Sequence, residues 1–185
     1  MKHPALSMNM VLAATTVLAV ILSSARAADD ATVAATCKAA EASDVRVNLQ
    51  LCLSRLGNAT SSDVLGLAKV ASDECISSSI IYRGDLVALT VELEAGNQEL
   101  KPMVEPLSAC NPASAHARDA FDEAKMEIKQ RAYGAAMKKL DEGMSWTQKC
   151  NAGFQGTNMP EPLAQHTMEN IQLAIIAKAI TSLIK

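Results

Sequence analysis

The chain has 185 residues, of which 49% are hydrophobic and only 3% aromatic, and its formal net charge is −3. No basic block occurs in the sequence, so we expect no nucleic-acid partner. The motifs H-E-x-x-H, G-x-S-x-G and C-x-x-C and a glycine-rich phosphate loop are also absent. The sequence therefore argues against an enzyme, and it predicts no catalytic residue, no metal site and no cofactor.

The first 27 residues have the pattern of a signal peptide. Lys2 gives a positive start, residues 10–22 form an apolar run, and Ala25-Arg26-Ala27 is a small-x-small cleavage pattern. The run is shorter than the roughly 20 residues that a membrane-spanning helix needs. We therefore expect residues 1–27 to be removed, and residues 28–185 to be one secreted domain with no membrane segment.

The N-terminal part of the mature chain, residues 28–58, is expected to be a helical hairpin. Its segments 36–43 and 47–56 are helix-friendly but too short to be stable alone, because isolated helices under about 12 residues are marginal in water. Asn58-Ala59-Thr60 follows directly and is an N-x-[ST] acceptor for glycosylation at Asn58.

Residues 60–185 carry four helical patterns. A long apolar strip starts at Val64, with Ser61, Ser62 or Asp63 as its cap, and runs to a stop at Gly96-Asn97. Three prolines then predict a broken or kinked first half for the second helix, which restarts beyond Pro112 with Asn111 as its cap. A third helix covers about 133–154.

The last helix starts near Pro162 and is apolar around most of its circumference, so it must be buried among others. Its polar residues gather on one thin strip: Thr167, Asn170, Lys178, Thr181 and Lys185. Together these patterns predict an all-α fold, an antiparallel four-helix bundle with an N-terminal hairpin.

Five cysteines leave one unpaired. A Cys37–Cys52 bridge would close the hairpin and contribute about 3 kcal/mol on the chain-entropy model. Cys110 and Cys150 lie near the ends of neighbouring antiparallel helices, whereas Cys75 lies on the core strip of the long helix. We expect a Cys110–Cys150 bridge and a free Cys75 thiol, and a Cys75–Cys110 bridge is the alternative.

The ordered set of these features resembles the plant invertase and pectin methylesterase inhibitor family over about residues 31–185. The stretches T-C-K and L-C-L-S-R-L-G are similar to its hairpin, and C-N-P-A-S, W-T-Q-K-C-N-A-G-F and N-I-Q-L-A-I-I-A-K-A-I-T-S-L-I are similar to its bundle. The spacing of the first two cysteines resembles that of the pollen-allergen branch of invertase inhibitors. The resemblance implies a monomeric inhibitor of the apoplast and cell wall.

That family implies a 1:1 complex that covers the active cleft of a pectin methylesterase, or alternatively of a cell-wall or vacuolar invertase. Invertase inhibitors of the family carry Pro-Lys-Phe where this chain has Arg131-Ala132-Tyr133-Gly134, so we expect the methylesterase as the partner. A helical ligand-carrying or structural protein is the remoter alternative. The candidate partner-binding residues are Asp119, Asp122, Glu123, Arg131, Tyr133 and Thr147. The carboxylates among them alternate with Arg118, Lys125 and Lys129, which is also the pattern of a solvated helix face.

Overall fold

The computed structural model describes residues 32–61 and 63–185, and all regular structure within these ranges is helical. The predicted signal peptide, residues 1–27, lies outside the described residues. The helices are α1 (32–43), α2 (Leu49–Leu56), α3 (Val64–Glu94), α4 (Val104–Lys129), α5 (Tyr133–Gly153) and α6 (Glu161–Ser182), and a 3-10 helix (Gln98–Met103) joins α3 to α4. The predicted all-α class is confirmed. Within the described ranges, no helix has both the length and the apolar character that crossing a membrane requires.

Helices α3 to α6 form an antiparallel four-helix bundle in which each helix packs against two neighbours. One ion pair crosses each of these helix–helix contacts: Asp73–Lys125 (α3–α4), Glu123–Lys139 (α4–α5), Asp141–Lys178 (α5–α6) and Asp85–His166 (α3–α6). In each pair one residue lies in the first half of its helix and the other in the second half, as an up-and-down order requires. Exposed pairs of this kind each contribute little to stability.

Helix α3 begins and ends where its sequence predicts. Asp63 caps its start, with its Oδ1 atom accepting a hydrogen bond of 2.6 Å from the backbone N–H of Gly66. At its end Gly96 has a φ of 91°, and the N–H of Asn97 donates to the carbonyl of Glu92 at 3.1 Å. This is a Schellman stop, in which glycine takes the left-handed conformation at no steric cost.

The predicted restart of the second bundle helix at Pro112 is wrong. Helix α4 runs without interruption from Val104 through Pro112, and Asn111 does not cap it. Pro112 removes one interior hydrogen bond, but Cys110 and Ala113 beside it are buried and hold the helix in place. The break falls earlier, in the 3-10 helix that contains Pro102.

Three residues of the polar strip of α6 point into the core. Thr167, Asn170 and Thr181 are all buried. The two threonine hydroxyls donate back to carbonyls of their own helix, at 2.8 and 2.7 Å. The Nδ2 atom of Asn170 donates to Ser79 Oγ of α3 at 2.9 Å. Each polar group is therefore satisfied, which is the condition for burying it cheaply.

The hairpin of α1 and α2 packs against the bundle at the end where α3 begins. Its buried residues Val33, Val47 and Leu56 belong to the same apolar cluster as the first turns of α3 and the last turns of α6. Arg55 forms ion pairs with Glu74 of α3 and Glu169 of α6. The hairpin is therefore fixed to two bundle helices at once.

Candidate functional site

The helix pair α4–α5 is closed covalently at one end. Cys110 is bonded to Cys150, with Cα atoms 4.6 Å apart and a sequence separation of 40 residues. A loop of this length corresponds to about 4 kcal/mol on the chain-entropy model. Cys37 is bonded to Cys52 in the hairpin, and Cys75 is a buried free thiol. The structure thus forms the two bridges that the sequence favours and not the Cys75–Cys110 alternative.

At its other end the α4–α5 pair is closed by a tight turn centred on Arg131. This residue has a φ of 61°, in the left-handed region that favours glycine. Its N–H donates to the carbonyl of Ile128 at 3.1 Å, and the N–H of Ala132 donates to that of Glu127 at 2.9 Å. The exposed Arg131 and half-buried Tyr133, both predicted contact residues, therefore lie on a hydrogen-bonded turn at one end of the bundle.

The predicted carboxylates lie along the outer side of α4, and most already have partners. Asp119 is exposed. Asp122 Oδ2 lies 3.7 Å from Arg118 Nε, and Glu123 pairs with Lys139 of α5 at 2.6 Å. This pattern fits a solvated, ion-paired face. Among the described residues, no group of three or more histidine, cysteine, aspartate or glutamate side chains could hold a metal ion.

Lys139 of α5 contacts two carboxylates on the outer side of the α4–α5 pair. Its ammonium group hydrogen-bonds the carboxylates of Glu123 and Glu142, and these bonds raise the pKa of Lys139. The same contact lowers the pKa of Glu142 from its ordinary value. Helix α5 therefore carries the charges of Lys139 and Glu142 at neutral and mildly acid pH.

Sequence reasoning missed an aromatic patch in the middle of the α4–α5 pair. The ring centroids of His116 and Trp146 are 4.7 Å apart, and the Nζ atom of Lys149 lies 4.7 Å from the Trp146 ring centroid. Trp146 is the only tryptophan of the chain. Tryptophan is enriched among the residues that contribute most of the binding energy at protein interfaces. The single tryptophan was therefore the one feature of the sequence that pointed to this patch.

We define the α4–α5 face as the exposed and half-exposed side chains that run from this patch to the turn: His116, Asp119, Asp122, Glu123, Arg131, Tyr133, Lys139, Glu142, Trp146 and Lys149. Thr147 was expected to contact a partner, but it is not part of this face. It is 1% exposed, and its hydroxyl lies within hydrogen-bond distance of the Gly143 carbonyl and Asn170 Oδ1. The prediction failed because Thr147 lies on the inward side of α5.

The acceptor Asn58 lies on the connection between α2 and α3 and is exposed. It is therefore accessible to a modifying enzyme.

Comparison with known proteins places the chain among plant inhibitors. No family model matches it. It is 44% identical over 181 residues to pectinesterase inhibitor 12 of Oryza sativa subsp. japonica, covering 96% of this chain and 86% of that protein. It is 34% identical over 161 residues to pectinesterase inhibitor 8 of the same species, covering 84% of each.

Solved structures agree on the fold. A crystal structure of a mutant form of a pectin methylesterase inhibitor from Arabidopsis superposes with a TM-score of 0.64 at 16% identity, covering 78% of this chain and 97% of that one. A second inhibitor structure, from Arabidopsis thaliana, gives a TM-score of 0.58 at 15% identity, covering 80% and 96%. The rice relatives are named as inhibitors and not as enzymes. Through its similarity to them along almost its whole length, this chain belongs to the pectinesterase inhibitor family and is not an enzyme.

Proposed function

We propose that this chain inhibits a plant pectin methylesterase by forming a 1:1 complex in which the α4–α5 face covers the active cleft. The observation that carries the proposal is the 44% identity, over 96% of the chain, to a protein named as a pectinesterase inhibitor. An inhibitor that blocks a cleft needs no catalytic residue of its own, which accords with the lack of catalytic motifs.

The construction of the α4–α5 pair suits such a role. The Cys110–Cys150 bridge closes one end and the Arg131 turn closes the other. A face held at both ends loses little conformational freedom on binding, so more of the contact energy appears as affinity. Trp146, Tyr133 and Arg131 are of the three residue types most enriched among interface hot spots.

The turn also bears on the choice of target. Arg131 and Tyr133 supply a cation and an aromatic ring, but the turn lacks the Pro-Lys-Phe order that the resemblance associates with invertase inhibition. The names of the rice relatives point to the methylesterase as well. We therefore propose the methylesterase as the target and treat invertase inhibition as an outcome to be measured.

The test is a titration of the refolded mature protein against a plant pectin methylesterase and a cell-wall invertase at mildly acid pH. We expect stoichiometric loss of methylesterase activity and no effect on invertase. Arg131→Ala and Tyr133→Ala should each weaken inhibition by about tenfold or more if they are hot spots. Lys38→Ala, which removes an exposed cation from the hairpin, serves as the matched control.

Inhibition of invertase alone would refute the proposed target. Inhibition of the methylesterase that is unchanged in both turn variants would refute the proposed docking face while leaving the target in place.

We also propose that the mature protein comprises residues 28–185 and is secreted to the apoplast with a glycan on Asn58. N-terminal sequencing of protein from a plant host should begin at Ala28. Its intact mass should fall on glycosidase treatment, and an Asn58→Gln variant should lack that shift. A sequence that starts at Met1 would contradict the removal of residues 1–27, and an unchanged mass would contradict the glycan on Asn58.

A further inference from the structure

Helix α3 carries a second apolar strip, on the side that faces away from the bundle. Ile80, Val87 and Val91 are 54%, 50% and 58% exposed, and Gly84 lies between them. At 100° per residue these four positions fall within about 60° of one another on the helix surface. We call them the outer seam of α3, and the 48% exposed Ile81 borders it.

The outer seam has the spacing of a helix–helix contact. Its residues are separated by four, three and four positions, which is the alternation of a heptad pattern. The buried residues Cys75, Ser79, Tyr82 and Leu86 use the same alternation on the inward side. A helix that is apolar on opposite sides is typical of one covered on both, yet nothing among the described residues covers the outer seam.

The seam is open and uncharged. No atom lies within 4 Å of the position that a Cβ atom would take on Gly84, so the backbone is accessible to a neighbouring helix there. Charged side chains begin only at the edges. Arg83 and Glu94 lie on the same edge, both are exposed, and neither forms an ion pair within residues 32–61 and 63–185.

We propose that two copies of this chain associate through the outer seams of their α3 helices, packed antiparallel about a twofold axis. In such a pairing each edge meets the same edge of the partner in reverse order. Arg83 of one copy then approaches Glu94 of the other, and Val87 packs near Val91. A second copy thus supplies both an uncharged helical strip and the opposite charge at each end.

The size of the seam sets the strength of the contact. Its half-exposed aliphatic side chains present an apolar patch on the order of 300–400 Å² per copy. Even when the polar residues at its edges are included, the surface area that two copies bury is less than the roughly 1,200 Å² of a standard interface. The dimer is therefore weak, with a dissociation constant on the order of 10–500 µM. Since α3 lies diagonally across the bundle from α5, a dimer of this kind leaves the α5 side accessible.

Sedimentation equilibrium of the mature protein between about 5 and 500 µM tests the proposal, because this range brackets the expected dissociation constant. We expect the mean mass to rise with concentration. Val87→Arg places a charge in the seam and should weaken association by about tenfold or more. Met168→Arg is the matched control, because Met168 is a 69% exposed residue on α6 outside the seam. Circular dichroism checks that both variants are folded.

A charge swap tests the antiparallel arrangement. Arg83→Glu and Glu94→Arg should each weaken the dimer two- to tenfold, and the double variant should restore it, because it rebuilds both cross-copy pairs. A monomer up to 500 µM, equal effects of Val87→Arg and Met168→Arg, or no rescue by the double variant would each overturn the proposal. So would a Val87→Arg variant that loses methylesterase inhibition, since the seam would then belong to the enzyme interface. The inference does not rest on the proposed function, and each can fail without the other.

Discussion

Replacing Arg131 by glycine should make the protein more stable. Arg131 has a φ of 61°, and a residue with a Cβ atom loses roughly 1–2 kcal/mol in this left-handed conformation. Glycine avoids that cost but gives the unfolded chain more freedom, which opposes it by about 0.5–1 kcal/mol. The expected net gain in the free energy of unfolding is about 0.5–1 kcal/mol, or a rise in Tm of about 1–4 °C for a chain of this length.

The measurement is thermal and urea unfolding of the wild-type protein and of Arg131→Gly. The control is Gln130→Gly. Gln130 precedes Arg131 in the same turn, but its φ is −81°, which any residue adopts. Glycine at this position should only add freedom to the unfolded chain, so the free energy of unfolding should fall by about 0.5–1 kcal/mol. Opposite signs at two adjacent positions would isolate the backbone conformation as the cause.

A third variant separates the backbone of Arg131 from its side chain. Arg131→Ala keeps the Cβ atom and hence the strain, so its stability should match the wild type. If the side chain contacts the methylesterase, the alanine and glycine variants should lose inhibition equally while only the glycine variant gains stability. An Arg131→Gly protein no more stable than the wild type would refute the argument that the turn is strained.

Three further predictions follow from particular contacts. A Cβ atom on Gly143 would overlap the ring of Phe121, so Gly143→Ala should lower the free energy of unfolding by about 1–3 kcal/mol. Gly134→Ala is the control, because no atom lies within 4 Å of its Cβ position, and it should not lower the free energy of unfolding. Hydrogen bonds from Arg46 lower the pKa of Asp44 to about 2. The ionised carboxylate therefore stabilises the fold fully above its unfolded pKa of about 3.9, and this stabilisation is lost as the pH falls toward 2. Asp44→Asn should therefore reduce stability at pH 6 by about 0.5–1 kcal/mol, since the pair is partly exposed, and the difference should shrink near pH 2; a constant difference would contradict the assignment. Burial raises the pKa of the Cys75 thiol, so alkylation at neutral pH should leave it unmodified in the native protein and label it only after unfolding; rapid native labelling would show that the α3 core opens.

The helices themselves could be predicted from the sequence because they depend on local patterns. Asp63 and Gly96 mark the ends of α3, and each acts through a hydrogen bond or a backbone conformation within a few residues. The error at Pro112 has a different origin. Proline predicts a break from local geometry alone, whereas the buried Cys110 and Ala113 on either side keep α4 continuous through contacts with other helices.

The candidate site could be predicted only in part, because it too depends on contacts between helices that are distant in the sequence. The composition of the Arg131 turn could be read directly, but its left-handed backbone could not. Thr147 was predicted to contact a partner, yet its hydroxyl lies beside Asn170 of a helix that follows in the chain. Which side of α5 faces inward depends on the packing of four helices, and a residue one position away, Trp146, is partly on the surface.

The buried contact between Thr147 and Asn170 connects the core to the proposed function. Asn170 reaches Ser79 of α3 through Nδ2 and Thr147 of α5 through Oδ1, so one side chain links three bundle helices. A leucine at this position could pack in several shifted arrangements, because apolar contacts are not directional. An amide whose partners must be met at hydrogen-bond distance allows only the register that satisfies them, since an unmet buried polar group costs about 1–3 kcal/mol. The polar core therefore fixes α5 along its axis relative to α3 and α6. An inhibitor that covers a cleft with side chains of α4 and α5 depends on that fixed register, because its contacts are arranged before the enzyme is met.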